Sequence, residues 1–178
     1  MSNNLTINGV SYQVLQLLGK GKGGYSYLVE NDGVRYVLKQ IHHEPCDYYT
    51  FGDKLQSELR DYQRLQQVGV RMPRMLAVDA QNERILKEYI HGPTVDSLVK
   101  EDASVDRYLA QVREMAMQVY AAGLNIDYFP TNFVVSGGLI YYVDYECNEY
   151  MEQWNFENWG IKYWSKTPEF LAYWRDHP

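Results

Sequence analysis

The segment Gly19-Lys20-Gly21-Lys22-Gly23-Gly24 constrains this chain more than any other. It fits the pattern GxGxxG, which is ambiguous until the residues after it are read. A dinucleotide-binding turn must open a helix whose N-terminus faces the pyrophosphate. Here YSYLVENDGVRYVLKQ reads as strand, turn at Asn31-Asp32-Gly33, and strand. Tyr25 also follows Gly24, where a P-loop requires Lys and then Ser or Thr. Both phosphate-binding designs are thereby excluded, and a β-hairpin lid remains. Glycines suit such a lid because backbone N–H groups without side chains can approach phosphate oxygens.

The same reading extends along the chain. Weak alternation over 5–9 and 12–18 around Asn8-Gly9 predicts an N-terminal hairpin. In 53–68, Leu55, Leu59, Tyr62 and Leu65 recur at helical spacing, and Met72-Pro73 breaks away from that helix. MLAVD and RILKEYI read as strands joined near Gln81-Asn82, and His91-Gly92-Pro93 stops the second. A short helix is expected over 94–99 and a longer one over 106–122, with Gly123 at its C-terminal cap. NFVV and LIYYVD flank Ser136-Gly137-Gly138 as a hairpin, and helices are expected in the Trp-rich tail 151–178. A strand-rich front and a helical back make an α+β chain.

Composition narrows the partners. The 178 residues suffice for one domain or two small lobes sharing a core. A net charge of -6 lacks the basic footprint of a protein that follows nucleic-acid backbone, so nucleic acid is excluded as the main partner. No segment has the length and apolarity of a signal or a membrane span, which predicts a cytoplasmic protein without a membrane partner. Cys46 and Cys147 form no CxxC pair, which argues against a disulfide framework or a zinc site.

Read in order from Leu18 to Glu146, these residues resemble the protein-kinase-like superfamily. The resemblance is to its abbreviated atypical members, in the RIO-like, lipopolysaccharide-kinase-like and small-molecule phosphotransferase groups. It implies an α+β, two-lobed protein-kinase-like fold with a reduced C-terminal lobe, a sheet-rich nucleotide lobe over 1–90 and a helical one over 91–178. Gly19, Gly21 and Gly24 would cover the nucleotide. Lys39, among apolar Val37, Leu38 and Ile41, looks like the strand lysine that binds the α- and β-phosphates. A buried ammonium needs a partner, and Glu58, on the apolar face of its helix, is preferred over Glu44 and Asp61. Glu88, Tyr89 and Ile90 in LKEYIHGPT resemble the hinge whose backbone bonds the adenine edge. In Asn125-Ile126-Asp127-Tyr128-Phe129-Pro130-Thr131-Asn132 the form DxxPxN looks like a catalytic loop. Asp127 would handle the acceptor hydroxyl, while Asn132 and, in YYVDYE, Asp144 would hold Mg²⁺. The implied activity is ATP- and Mg²⁺-dependent phosphoryl transfer to a hydroxyl, with nucleotide between residues 18–39 and 125–144.

The departures from the pattern shape the rest. Asn125 and Ile126 replace the usual His and Arg, which removes the cation that would hold a phosphorylated activation segment. Glu146 stands where protein kinases carry Gly, as in the choline-kinase and aminoglycoside-phosphotransferase groups. Ser26 replaces a Val over the adenine, and Gly23 replaces the residue that tips the loop. Only 34 residues follow Asp144, too few for a full activation segment and peptide-binding helices. Protein Ser/Thr is favoured as acceptor by the small atypical kinases, whereas Glu146 and DxxPxN favour a small alcohol. A non-catalytic pseudokinase is the rival reading. Trp154, Phe156, Trp159, Tyr163, Trp164, Tyr173 and Trp174 are expected mainly to pack a reduced lobe.

Overall fold

A computed structural model describes residues 3–44 and 53–178, and Cys46 lies outside the described residues. The chain is a mixed α+β protein of two compact units. The first comprises residues 1–60 and 73–89, and the second 61–72 and 90–178. Residues 61–72 thus group with the second unit although they lie between the two segments of the first.

The first unit is an antiparallel six-stranded sheet, with β1 (Asn4–Ile7), β2 (Val10–Lys20), β3 (Gly24–Asn31), β4 (Val34–Ile41), β5 (Met75–Asp79) and β6 (Arg84–Glu88) in the order β1-β2-β3-β4-β6-β5. The turns Asn8-Gly9 and Asp32-Gly33 both take the left-handed conformation of two-residue hairpins. Register shifts in β2, between Val14 and Gln16 and between Leu17 and Gly19, add twist. The sheet curls until its edges meet: Asn8 N–H donates to Asp79 Oδ2 (3.0 Å), and Arg84 Nη1 donates to the Thr6 carbonyl (2.8 Å). Ile7, Val29, Leu38 and Leu86 fill the concave side with Tyr12, Tyr27 and Tyr36 around them. On the opposite face Ile41 and Ile85 pack with Leu55 and Leu59. These leucines lie on α1 (Lys54–Val68), whose first turn is capped by Asp53 Oδ1 accepting the Gln56 N–H (3.0 Å).

The second unit contains α2 (Val95–Lys100), α3 (Asp106–Ala121), β7 (Leu124–Ile126), β8 (Phe133–Ser136), β9 (Leu139–Tyr142), β10 (Cys147–Glu149) and α4 (Pro168–Asp176). Val112, Met115, Ala116 and Val119 of α3 pack into a core with Phe133, Ile140, Tyr142, Phe156 and Trp164. At Gly92 a β-carbon would lie 1.7 Å from the Val135 carbonyl oxygen, so only glycine lets the chain cross β8 here.

The tail departs from the expected helices. It forms 3₁₀ turns at Glu152–Trp154 and Gly160–Tyr163, and only α4 is α-helical. Asn155 explains the break, because its side-chain oxygen accepts the Asn158 N–H (2.8 Å) while its carbonyl accepts from Trp159 and Gly160. α4 then starts where Pro168 is tolerated, with Thr167 Oγ1 capping the Phe170 N–H (3.1 Å). Phe156 and Trp164 are fully buried, whereas Trp154 is exposed. β6 ends at Glu88, two residues short of the expected strand.

Candidate functional site

In the first unit the sheet's register sets the site. Ser26 of β3 and Ile85 of β6 flank Lys39 of β4 in the ladder, so this lysine sits mid-sheet on the face that carries Ile41 and Ile85. Its ammonium meets both Glu58 oxygens at 3.0 Å, with the two side chains only 17% and 10% exposed. The competing acids are engaged elsewhere: Glu44 with Lys20 (3.0 Å) and Tyr25, Asp61 with Arg64 (3.5 Å) and the Cys147 N–H (3.3 Å).

The glycine turn lies over this pair. A β-carbon at Gly23 would stand 3.9 Å from Lys39 Nζ, and one at Gly24 would meet the Gln40 carbonyl oxygen at 2.6 Å. Gly24 is therefore required by close packing, while Gly19 lies in open space within β2. Gly21 N–H donates to the Gly24 carbonyl (2.9 Å), so Gly21 shapes the turn and its N–H is already committed. His42 and Lys54, which carry no sequence motif, hold the turn in place. His42 donates its N–H to the Gly23 carbonyl (3.1 Å) and Nε2–H to that of Gly21 (2.9 Å). Lys54 Nζ donates to the carbonyls of Lys22 (3.4 Å) and His42.

At the end of β6, Glu88 N–H donates to the Arg74 carbonyl (2.9 Å), and Glu88 Oε1 accepts the Arg74 N–H (3.3 Å). A base contact from Glu88 would thus have to use its carbonyl. Tyr89 and Ile90 follow, half-buried. Lys87, just before them, is 5% exposed and shares its sheet face with Lys39, since it pairs with Val37 two residues along the ladder. Its position two residues after Ile85, on the same strand face, was the available signal.

In the second unit two short ladders converge. β7 pairs with β10 so that Ile126 faces Cys147, which places Asp127 and Glu146 at the same end of that ladder. β8 pairs with β9 so that Phe133 faces Tyr142, which brings Asn132 beside Val143, whose N–H donates to the Asn132 carbonyl (2.9 Å). Asp127, Asn132 and Asp144 are thereby gathered by strands only three or four residues long. Asp127 Oδ1 accepts the Phe129 N–H (3.1 Å), and Asn132 Nδ2 donates to the Asp127 carbonyl (3.4 Å), which orients the amide. Asp144 Oδ1 accepts the Glu146 N–H (3.3 Å).

Tyr142 is the residue that sequence reading missed here. Its fully buried hydroxyl donates to the Glu146 carbonyl (2.7 Å) and accepts the Asp127 N–H (3.1 Å), so it ties the two acidic loops together. Burial, and next the nearby Asp144 and Asp127 carboxylates, push its pKa well above the ordinary tyrosine value. In YYVD nothing distinguishes this tyrosine from Tyr141 except strand alternation.

Asn125, where the resemblance would have His, is buried and donates Nδ2–H to the Met151 carbonyl (3.0 Å). Among the described residues no three His, Cys, Asp or Glu side chains cluster as a metal site. Asn132 and Asp144 supply one amide and one carboxylate oxygen, which suits a hard cation whose remaining ligands are phosphate and water. Neither a protein-family model nor a curated protein matches the chain.

Proposed function

We propose that this chain is an ATP- and Mg²⁺-dependent phosphotransferase with a reduced, two-lobed protein-kinase-like fold. The observation that carries the reading is the Lys39–Glu58 pair beneath the glycine turn. An ammonium held by a carboxylate under backbone that lacks side chains is an arrangement suited to phosphate oxygens. Lys39 is assigned to the α- and β-phosphates, Glu58 to fixing Lys39, and the carbonyl of Glu88 with Tyr89 and Ile90 to the adenine edge. Asp127 orients the acceptor hydroxyl and takes its proton. Asn132 and Asp144 are the residues that would hold Mg²⁺, whose chemistry is to neutralise charge on the phosphates. Catalysis of this kind is mostly positioning and electrostatics.

The test is transfer of labelled γ-phosphate from ATP to general protein acceptors and to small alcohols. Wild type is expected to transfer, Asp144→Asn to lose transfer together with Mg²⁺-dependent nucleotide binding, and Asp127→Asn to bind nucleotide normally while transferring about a hundredfold more slowly. Equal transfer by wild type and Asp127→Asn would remove Asp127 from the reaction.

A further inference from the structure

In the second unit one aromatic surface is left open to water. Residues 148–154 form a continuous exposed run, in which Tyr150, Met151 and Trp154 are 41%, 48% and 49% exposed. Every later aromatic side chain is buried or half-buried. The backbone beneath the run is fixed: Tyr150 N–H donates to the Gly123 carbonyl (2.9 Å) and Trp154 N–H to the Met151 carbonyl (3.1 Å). Asn155 Nδ2 donates to the Tyr150 hydroxyl (3.1 Å). Two aromatic corners result, Tyr150 against Tyr120 at 5.1 Å and Trp154 against Trp159 at 5.8 Å between ring centres. Each has a carboxylate at hand. The Tyr120 hydroxyl donates to Glu157 Oε2 (2.8 Å), and Glu152 opens the 3₁₀ turn that ends at Trp154.

Charge here is one-sided. Residues 114–161 include seven Asp and Glu but no Lys, Arg or His, an excess greater than the net charge of -6 of the whole chain. Among the described residues none of the exposed Glu149, Glu152 and Glu157 pairs with a cation. We propose that this surface docks a partner protein through a segment carrying at least two basic side chains. Trp and Tyr on a fixed backbone are the residue types that dominate binding at interfaces, because little freedom is lost when they are covered. Charge decides what covers them. The stem of a Lys or Arg lies on a ring while its cation is drawn to the ring face and to a carboxylate. Two corners with separate carboxylates take two cations, which a single small ammonium compound does not supply. Nucleic acid and an anionic membrane are repelled. A second copy docking about a two-fold axis would set the same carboxylates against each other. The surface adjoins the DxxPxN loop: Trp159 meets Phe129 at 6.3 Å, and Phe129 N–H bonds Asp127. Docking needs neither nucleotide nor Mg²⁺ and does not rest on the phosphotransferase reading.

The experiment is fluorescence anisotropy on the full chain without nucleotide. The probe is a fluorescein-labelled Arg-Gly repeat peptide, with a Glu-Gly repeat peptide and arginine amide as comparisons. Wild type is expected to bind the basic peptide in preference to both. Trp154→Ala is expected to weaken binding about tenfold, and so is the pair Glu152→Gln and Glu157→Gln, which carries the test if Trp154→Ala fails to fold. The pair Glu30→Gln and Asp32→Asn removes equal charge from the β3–β4 hairpin of the first unit and is expected to bind as wild type does. No binding of the basic peptide, affinity unchanged by the surface substitutions, or an equal loss in the hairpin pair would overturn the proposal. Arginine amide binding as tightly as the peptide would overturn it in favour of a small-cation site. Self-association of wild type that Trp154→Ala abolishes, seen by sedimentation, would overturn it in favour of a second copy.

Discussion

At the scale of single residues, the pair Lys39–Glu58 is the feature that was most legible in the sequence. Val37, Leu38 and Ile41 mark an inner strand position, and Glu58 falls between Leu55 and Tyr62 on the helical repeat. Both side chains are largely withdrawn from water and meet at 3.0 Å. Removing one charge leaves the other poorly solvated, a larger effect than at an exposed ion pair. Glu58→Gln is therefore expected to lower stability by about 1–3 kcal/mol, between the exposed and fully buried cases, and to raise the ATP dissociation constant. Urea unfolding and nucleotide titration measure the two effects, and a variant equal to wild type in both would show that Lys39 does not depend on Glu58. His42, Lys54 and Tyr142 were not legible, because each acts by hydrogen-bonding backbone atoms that only the folded chain brings near.

At the scale of elements, long periodic segments could be read and short ones could not. α1, α3 and the hairpins at Asn8-Gly9, Asp32-Gly33 and Gly137-Gly138 follow from spacing and turn residues. β7 and β10 are three residues each, too short for an alternation pattern, yet their pairing places Asp127 beside Glu146. The DxxPxN motif thus indicated the acidic residues while the ladder that positions them stayed hidden. Tyr142 links that ladder to β9, and Tyr142→Phe keeps the ring while removing the hydroxyl that bonds the Asp127 N–H and the Glu146 carbonyl. Stability is expected to fall by about 1–3 kcal/mol for the two buried hydrogen bonds lost. Phosphoryl transfer should fall while ATP binding persists. Unfolding and transfer measurements that match wild type would mean that the tyrosine hydroxyl does not position Asp127.

At the scale of the whole molecule, the residues assigned under the proposed function fall in both units: Lys39 and Glu58 in the first, Asp127, Asn132 and Asp144 in the second. Among the described residues no helix is long and apolar enough to cross a membrane. The second unit is rich in buried tyrosine, and this gives the protein an alkaline limit. Burial pushes Tyr120 up to about 12 and holds Tyr128 and Tyr142 well above the ordinary tyrosine value. Below about pH 10, the ordinary tyrosine value, these hydroxyls are neutral in both folded and unfolded chains and stability is unaffected. Above it the unfolded chain ionises first, so stability falls by up to about 1.4 kcal/mol per pH unit for each of Tyr128 and Tyr142, and by less for half-buried Tyr120. Urea midpoints measured from pH 8 to 11.5 should be level and then drop, and a level curve throughout would contradict the burial of these hydroxyls. The central claim of the proposed function is that ATP binding requires Lys39 and that its Mg²⁺ dependence requires Asp144. Calorimetric titration with ATP, with and without Mg²⁺, on wild type, Lys39→Met and Asp144→Asn tests it most directly. Mg²⁺-enhanced binding that Lys39→Met weakens and whose Mg²⁺ dependence Asp144→Asn abolishes is the predicted result. No binding by folded wild type, or binding that both substitutions leave unchanged, would contradict it.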